Sequence, residues 1–325
     1  MTRAAVLAVD GGNSKTDLAL VGADGSLLSL VRGPLSSPQH LGVEGCLSVI
    51  DGLLTEALGE HDGRVADVAT LLLAGVDFPA EEAAVREAVE QRGWARHVHV
   101  GNDTFAVLRA GTELGWGVAV TCGAGINCVG VSRDGRHARF PALGEITGDW
   151  GGGYDLGLAA VFAAARSEDG RGPRTSLEHA VPAYFGLEAP SQLAEAIHFG
   201  QIPQRRVIEL APVVLAEATD DAVAAEIVQR LAAEVVALAR VALKRLGLTN
   251  DRVEVLLGGG VLQDADGDLL AAIDKGVRAD APDAIVRPTA SAAIVGAALL
   301  GLDELDAGAD AQRRLRAEFE EVRVG

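Results

Sequence analysis

The stretch Ala8-Val9-Asp10-Gly11-Gly12-Asn13-Ser14-Lys15-Thr16-Asp17-Leu18-Ala19-Leu20-Val21, closed by Asp24-Gly25, decides the fold because it occurs twice. Its echo is Ala119-Val120-Thr121-Cys122-Gly123-Ala124-Gly125-Ile126-Asn127-Cys128-Val129-Gly130-Val131, closed by Asp134-Gly135. Each copy reads as an apolar strand, a tight glycine-rich hairpin, a second apolar strand and an Asp-Gly turn into a third. Downstream, Leu71-Leu72-Leu73-Ala74-Gly75-Val76 and Val255-Leu256-Leu257-Gly258-Gly259-Gly260-Val261 are both buried-strand runs that break at glycine. Repetition on this scale predicts two duplicated α/β domains. Residues 1–112 form the first and residues 113–325 the second, with the last helices packing back towards the first.

Between Gly144 and Gly247 the second half carries a mainly helical insertion. Its clearest member starts near Asp220, places Val223, Ile227, Leu231, Val235, Leu238 and Val241 at helical spacing, and stops at Gly247. The charge-rich tail from Asp303 ends in a short helix of the Arg313 to Val322 type.

Composition narrows the chemistry. A chain of 325 residues has room for two cores. Its 40 glycines exceed the needs of ordinary turns and point to backbone brought close to a ligand. Lys and Arg number 28 against 46 Asp and Glu, a net charge of −18, so nucleic acid and anionic membrane are not expected as partners. The three cysteines, Cys46, Cys122 and Cys128, support neither a disulfide framework nor a four-thiolate metal site, and fit a reducing cytoplasm. The apolar run from Ala4 to Val9 is too short for a signal peptide, and no run reaches the roughly 18 to 20 residues that span a bilayer. The seven histidines lack metal-ligand spacing.

Three glycine motifs carry the chemistry. In the first hairpin, Gly11 and Gly12 let backbone N–H groups approach an anion, Asn13, Ser14 and Thr16 add polar donors, and Lys15 adds a charge. Asp10, ending the strand, suits a Mg²⁺ held through water, although an ordinary turn capped by an Asp has the same appearance. The spacing matches neither a P-loop nor a dinucleotide fingerprint. The second hairpin repeats the cradle with Thr121, Gly123, Ala124 and Gly125. Paired cradles suit phosphoryl transfer, which depends on positioning and charge neutralisation. Gly258-Gly259-Gly260 follows a strand and precedes a helix, either as a platform for a flat base or ribose or as a plain strand-to-helix turn.

Taken in order, Asp10 to Thr16, Gly101-Asn102-Asp103-Thr104, Gly123 to Cys128, Gly148-Asp149-Trp150-Gly151-Gly152-Gly153-Tyr154-Asp155-Leu156-Gly157 and Leu257 to Val261 resemble the N-acetylglucosamine kinase branch of the actin-like sugar kinases, the BadF-BadG-BcrA-BcrD type of ATPase. The resemblance runs from Val6 to about Leu300. It implies two ribonuclease-H-like domains with ATP, Mg²⁺ and a sugar in the cleft between them, and a homodimer. It also implies transfer of the γ-phosphate to a hydroxyl of an amino sugar, N-acetylglucosamine or glucosamine at the 6-hydroxyl.

Carried onto this sequence, the resemblance makes Asp103 the catalytic base and gives substrate contacts to Ser37, Gly75, Asn102, Asp103, Asn127, Gly144 and Asp149. Asp103 follows the apolar stretch His97 to Val100 and opens a helix from Phe105 to Ala110, where a carboxylate can take a hydroxyl proton or act as an N-cap. Two departures from the family pattern touch the sugar. Ser37 stands where the family has Asn, and Trp150-Gly151-Gly152 stands where it has Glu-Gly-Ser. The competing activity is an ATPase activator coupled to an iron–sulfur cluster. That requires a ligand pair of cysteines in each chain, which Cys122 and Cys128, inside a phosphate hairpin, do not supply.

Overall fold

The computed structural model describes residues 4–324 apart from 61–62, 264, 266 and 290. In chain order, β1 (Val6–Gly11), β2 (Lys15–Val21) and β3 (Leu27–Pro34) lead into α1 (Pro38–Leu58), β4 (Val68–Leu73), α2 (Pro79–Arg92), β5 (His97–Asn102) and α3 (Asp103–Gly111). There follow β6 (Gly117–Cys122), β7 (Ile126–Val131), β8 (His137–Arg139) and the helices α4 (Gly152–Glu168), α5 (Leu177–Tyr184), α6 (Pro190–His198), α7 (Ala211–Glu217) and α8 (Ala222–Leu246). The chain closes with β9 (Glu254–Gly258), α9 (Gly260–Gln263), α10 (Gly267–Arg278), β10 (Ile285–Pro288), α11 (Ala293–Glu304) and α12 (Ala309–Val324). Among the described residues, no helix is long and apolar enough to cross a membrane.

The chain forms two compact units, Met1–Trp116 with Ala290–Gly325, and Gly117–Thr289. The first unit's sheet has the order β3-β2-β1-β4-β5, an antiparallel meander joined by two parallel strands. Helices cover both faces, so β1, β2 and β4 are nearly continuous buried runs rather than alternating ones. Leu7, Val9, Leu18, Leu20, Leu71 and Leu73 pack with Leu47, Ile50 and Leu54 of α1. Val6, Ala8, Ala19, Val21 and Leu72 meet Ala106 and Ala110 of α3, Ile294 and Ala298 of α11, and Leu315 and Phe319 of α12. Each fully buried Leu in these layers contributes about 2 kcal/mol.

The second unit's sheet reads β8-β7-β6-β9-β10, again a meander followed by two parallel strands, so the two sheets share one topology. This is an α/β protein with two mixed sheets. α8 lies on β6 and β7, while α4 packs with α5, α6 and α7.

The caps of α8 follow from its sequence. The Asp221 carboxylate accepts the N–H of Ala224 at 2.8 Å, and Gly247 turns left-handed at φ 71°. Its buried face departs from the expected stripe. Val223 and Ile227 are only partly buried against the helical cluster, and Val241 is 38% exposed. Ala239, Ala242 and Leu246 are buried instead. Ala242 and Leu246 lie beside Gly130 of β7, where the helix runs close to the sheet and admits small side chains.

Candidate active site

In the first unit the parallel strands β1, β4 and β5 end in register at Gly11, Leu73 and Asn102. This carboxyl edge is where open α/β sheets bind ligands. Asp10, Asp17 and Arg32 form a cross-strand row over β1, β2 and β3. The Asp17 carboxylate is 4% exposed and accepts from Arg32 Nε at 2.6 Å, Arg32 Nη2 at 3.1 Å and Lys15 Nζ at 3.0 Å. Burial works against its ionisation, but these two cations hold its carboxyl below the usual carboxylate range. Asp10 is pushed the other way, up to about 7, by burial first and then by the charges of Asp103 and Asp17, with Lys15 and Arg32 opposing.

The turn between β1 and β2 is closed by the Gly12 N–H donating to the Lys15 carbonyl at 2.8 Å, which leaves Asn13, Ser14 and Lys15 exposed. Thr16 is buried, and its hydroxyl lies 2.7 Å from both the Pro34 carbonyl and Ser36 Oγ. It anchors the hairpin from beneath.

At the same edge, Asp103 is the first residue of α3, but it does not cap that helix. The N-cap is Asn102, whose Oδ1 accepts the Thr104 N–H at 2.9 Å. Burial lifts the Asp103 carboxyl to about 6, against N–H groups at the helix start that favour the charge. The Asn102 Nδ2 donates to Asp77 Oδ1 at 2.8 Å. Ser37 precedes α1 and is buried, and its Oγ has no hydrogen-bond partner among the described residues. Gly75 turns at φ +77°, where an added Cβ would lie 3.0 Å from Ser37 Oγ and 2.8 Å from the Gln39 Cβ. The fold therefore gathers Asp10, Gly11, Gly12, Ser37, Gly75, Asn102 and Asp103, far apart in sequence, along one sheet edge. Sequence reasoning missed Asp77, which sits in the loop between β4 and α2 and shows its role only through pairing with Asn102.

In the second unit Thr121 pairs with Asn127 on one side and Gly258 on the other. This sets the second cradle beside the triple glycine. Thr121 Oγ1 is buried without a hydrogen-bond partner among the described residues, and Asn127 Oδ1 accepts the Cys128 N–H at 2.7 Å. The first turn of α4 ties down the hairpin tip, with Gly153 N–H donating to the Gly123 carbonyl at 2.8 Å and Tyr154 N–H to the Ala124 carbonyl at 3.0 Å. A Cβ added at Gly123, Gly125 or Gly260 would meet open space. Gly259, at φ +83°, has the Cys122 carbonyl where a Cβ would go.

The Gly144 carbonyl gathers the N–H groups of Thr147, Gly148 and Asp149 at 3.1, 2.8 and 3.0 Å, and the Thr147 hydroxyl donates to Asp149 Oδ2. The Arg230 guanidinium stacks 4.0 Å above the Trp150 ring, a cation–π contact that occupies one face of the indole. All three cysteines are buried. Their burial pushes the Cys46 and Cys122 thiols up to about 12 and the Cys128 thiol in the same direction.

Residues 7–301 match the model of the BadF/BadG/BcrA/BcrD ATPase family. An N-acetylmuramic acid/N-acetylglucosamine kinase of Clostridium acetobutylicum is 29% identical over 263 residues, covering 80% of this chain and 86% of that protein. An N-acetyl-D-glucosamine kinase of Dictyostelium discoideum is 25% identical, covering 93% of this chain and 99% of that one. In structure, a Chromobacterium violaceum protein provisionally assigned as an N-acetylglucosamine kinase superposes with a TM-score of 0.72 at 24% identity, covering 93% of this chain and all (100%) of that one. A glucokinase of the ROK family from Streptomyces griseus, solved with glucose and AMPPNP, gives 0.52 at 20% identity, covering 91% and 98%.

Proposed function

Because the chain belongs to the BadF/BadG/BcrA/BcrD ATPase family, we propose that it is an ATP-dependent sugar kinase. It transfers the γ-phosphate of ATP to a hydroxyl of an amino sugar, N-acetylglucosamine or glucosamine at the 6-hydroxyl. The observation that carries this reading is Asp103, a carboxylate at the carboxyl edge of the sheet that leaves helix capping to Asn102 and whose burial lifts it to about 6. Such a group is ionised at neutral pH and basic enough to accept the proton of an attacking hydroxyl, a role worth on the order of 10² to 10⁴ in rate.

The residues present suit a nucleotide. The open space over Gly123 and Gly125 and the unpartnered Thr121 hydroxyl favour phosphate oxygens, and Gly258 to Gly260, one strand away, favour the base and ribose. Gly11, Gly12, Asn13, Ser14 and Lys15 present N–H groups and a charge to phosphate from the first unit. Asp10, crowded by the Asp103 and Asp17 charges, is suited to a divalent cation. Mg²⁺, when bound, supplies charge neutralisation on the phosphate oxygens. The sugar contacts are assigned to Ser37, Gly75, Asn102 and Asp103 within the first unit and to Asn127, Gly144 and Asp149 within the second.

The two sheets are read as copies of a ribonuclease-H-like domain, residues 1–112 and 113–325, with the helices between β8 and β9 as an insertion and the last helices, α11 and α12, packing back on the first domain. A cytoplasmic homodimer goes with this reading. The test is ADP release with Mg-ATP over glucosamine, N-acetylglucosamine, N-acetylmannosamine, N-acetylmuramic acid and glucose. Release that depends on one of the first two sugars is expected. Release at one rate with or without any sugar would replace the kinase by an ATPase.

A further inference from the structure

We propose that Asp77 is a positioning residue for the phosphoryl-transfer step, acting on Asp103 through Asn102. The inference rests on the kinase reading and adds to it a residue outside both cradles and outside the sugar contacts. Asp77 is fixed at the start of α2, where its own N–H and that of Phe78 donate to the Glu81 carboxylate at 2.8 and 2.9 Å. From there its Oδ1 accepts the Asn102 Nδ2 at 2.8 Å, and the Asn102 Oδ1 accepts the Thr104 N–H at 2.9 Å.

An ionised carboxylate only accepts hydrogen bonds, so Asp77 dictates which end of the Asn102 amide faces it. The other end, an acceptor, is thereby aimed at the first turn of α3. Asn102 is 3% exposed, so turning its amide over would confront the Thr104 N–H with an NH₂ group in a place where water cannot compensate. Asp103 lies between the two ends of this link, on the backbone that the link immobilises. The hydrogen-bond chain joins the β4–α2 loop to the β5–α3 loop, two segments that local structure leaves independent. Displacing a reacting group by about 1 Å can cost on the order of 10²-fold in rate.

The experiment uses full-length protein with Mg-ATP and its best sugar, measuring kcat, KM and melting temperature. The variants are Asp77→Asn, Asn102→Asp, the double variant carrying both, and Asp103→Asn. Asn102→Asp breaks the link by opposing two carboxylates, while Asp77→Asn keeps an acceptor but loses the acceptor-only carboxylate that fixes which end of the Asn102 amide faces it. In each, kcat is expected to fall about 10- to 100-fold, with the KM for ATP within about twofold in both and the KM for sugar within about twofold in Asp77→Asn. The double variant restores one donor and one acceptor with their roles exchanged and keeps an acceptor for the Thr104 N–H, so kcat recovers to within a few-fold of wild type. Melting temperatures of the single variants within a few degrees of wild type separate this loss of rate from a failure to fold. In the Asp103→Asn background, Asp77→Asn adds less than about twofold, because both act on one step.

A wild-type kcat for Asp77→Asn beside an inactive Asp103→Asn overturns the positioning role and leaves the kinase reading standing. So does a raised sugar KM at unchanged kcat, or a double variant no better than its parents. An Asp103→Asn variant as active as wild type overturns the base role of Asp103 and the positioning role with it, whereas ADP release that ignores the sugar overturns the kinase reading itself.

Discussion

Asp103 and Asp10 are carboxylates kept where charge is disfavoured, and each makes a pH-dependent signature. The Asp103 carboxyl is raised from 3.8 to about 6, so its contribution to stability is present below about pH 4 and is lost as pH rises through 6. The ionised carboxylate thus works against the folded state at neutral pH. Asp103→Asn is therefore expected to match wild type in melting temperature near pH 4 and to melt several degrees higher at pH 8. Equal melting temperatures across that range would show that burial does not strain this carboxylate. At Asp10, pushed up to about 7, protons compete with the cation, so the Mg²⁺ concentration for half-maximal turnover should rise up to tenfold per unit as pH falls below 7. Asp10→Asn should weaken Mg-ATP turnover far more than sugar affinity. A Mg²⁺ requirement independent of pH would make Asp10 a turn residue.

At the scale of the element, the second cradle is a contact between a hairpin, a strand end and the first turn of α4, and its glycines are not equivalent. Gly259 combines φ +83° with the Cys122 carbonyl in the place of a Cβ, whereas Gly260 faces open space. Gly259→Ala should cost more than about 2 kcal/mol and lower the melting temperature by several degrees. Gly260→Ala should melt as wild type and raise the KM for ATP. The reverse order of thermal effects would refute the packing described for this turn.

How far these elements can be read from sequence depends on the range of the interactions that define them. The ends of α8 were readable because Asp221 and Gly247 act on their own turns. Its buried face was not, because Ala239 and Ala242 are buried by their closeness to a sheet built from distant segments. The identity of the α3 cap shows the same limit. Asp103 and Asn102 are both capable caps, and the choice is made by Asp77, which only the parallel pairing of β4 with β5 brings alongside.

For the whole molecule, two sheets of one topology account for the repetition of the glycine motifs. The hairpin at the end of β1 and the hairpin at the end of β6 occupy equivalent places in their sheets. That correspondence was visible in the sequence as the echo of residues 8–21 in residues 119–131. The return of α11 and α12 to the first unit was expected only in outline, since their apolar faces name no partner until the β1 and α3 surfaces exist.

The central claim is that the carboxylate of Asp103 accepts the proton of a sugar hydroxyl during phosphoryl transfer. The most direct measurement is the single-turnover rate of Asp103→Asn with Mg-ATP and the best sugar, alongside its melting temperature and nucleotide affinity. The account predicts a loss on the order of 10² to 10⁴ in rate, with the fold intact and ATP bound as in wild type. A folded variant that phosphorylates its sugar within about tenfold of wild type, short of what a positioned base contributes, would contradict it.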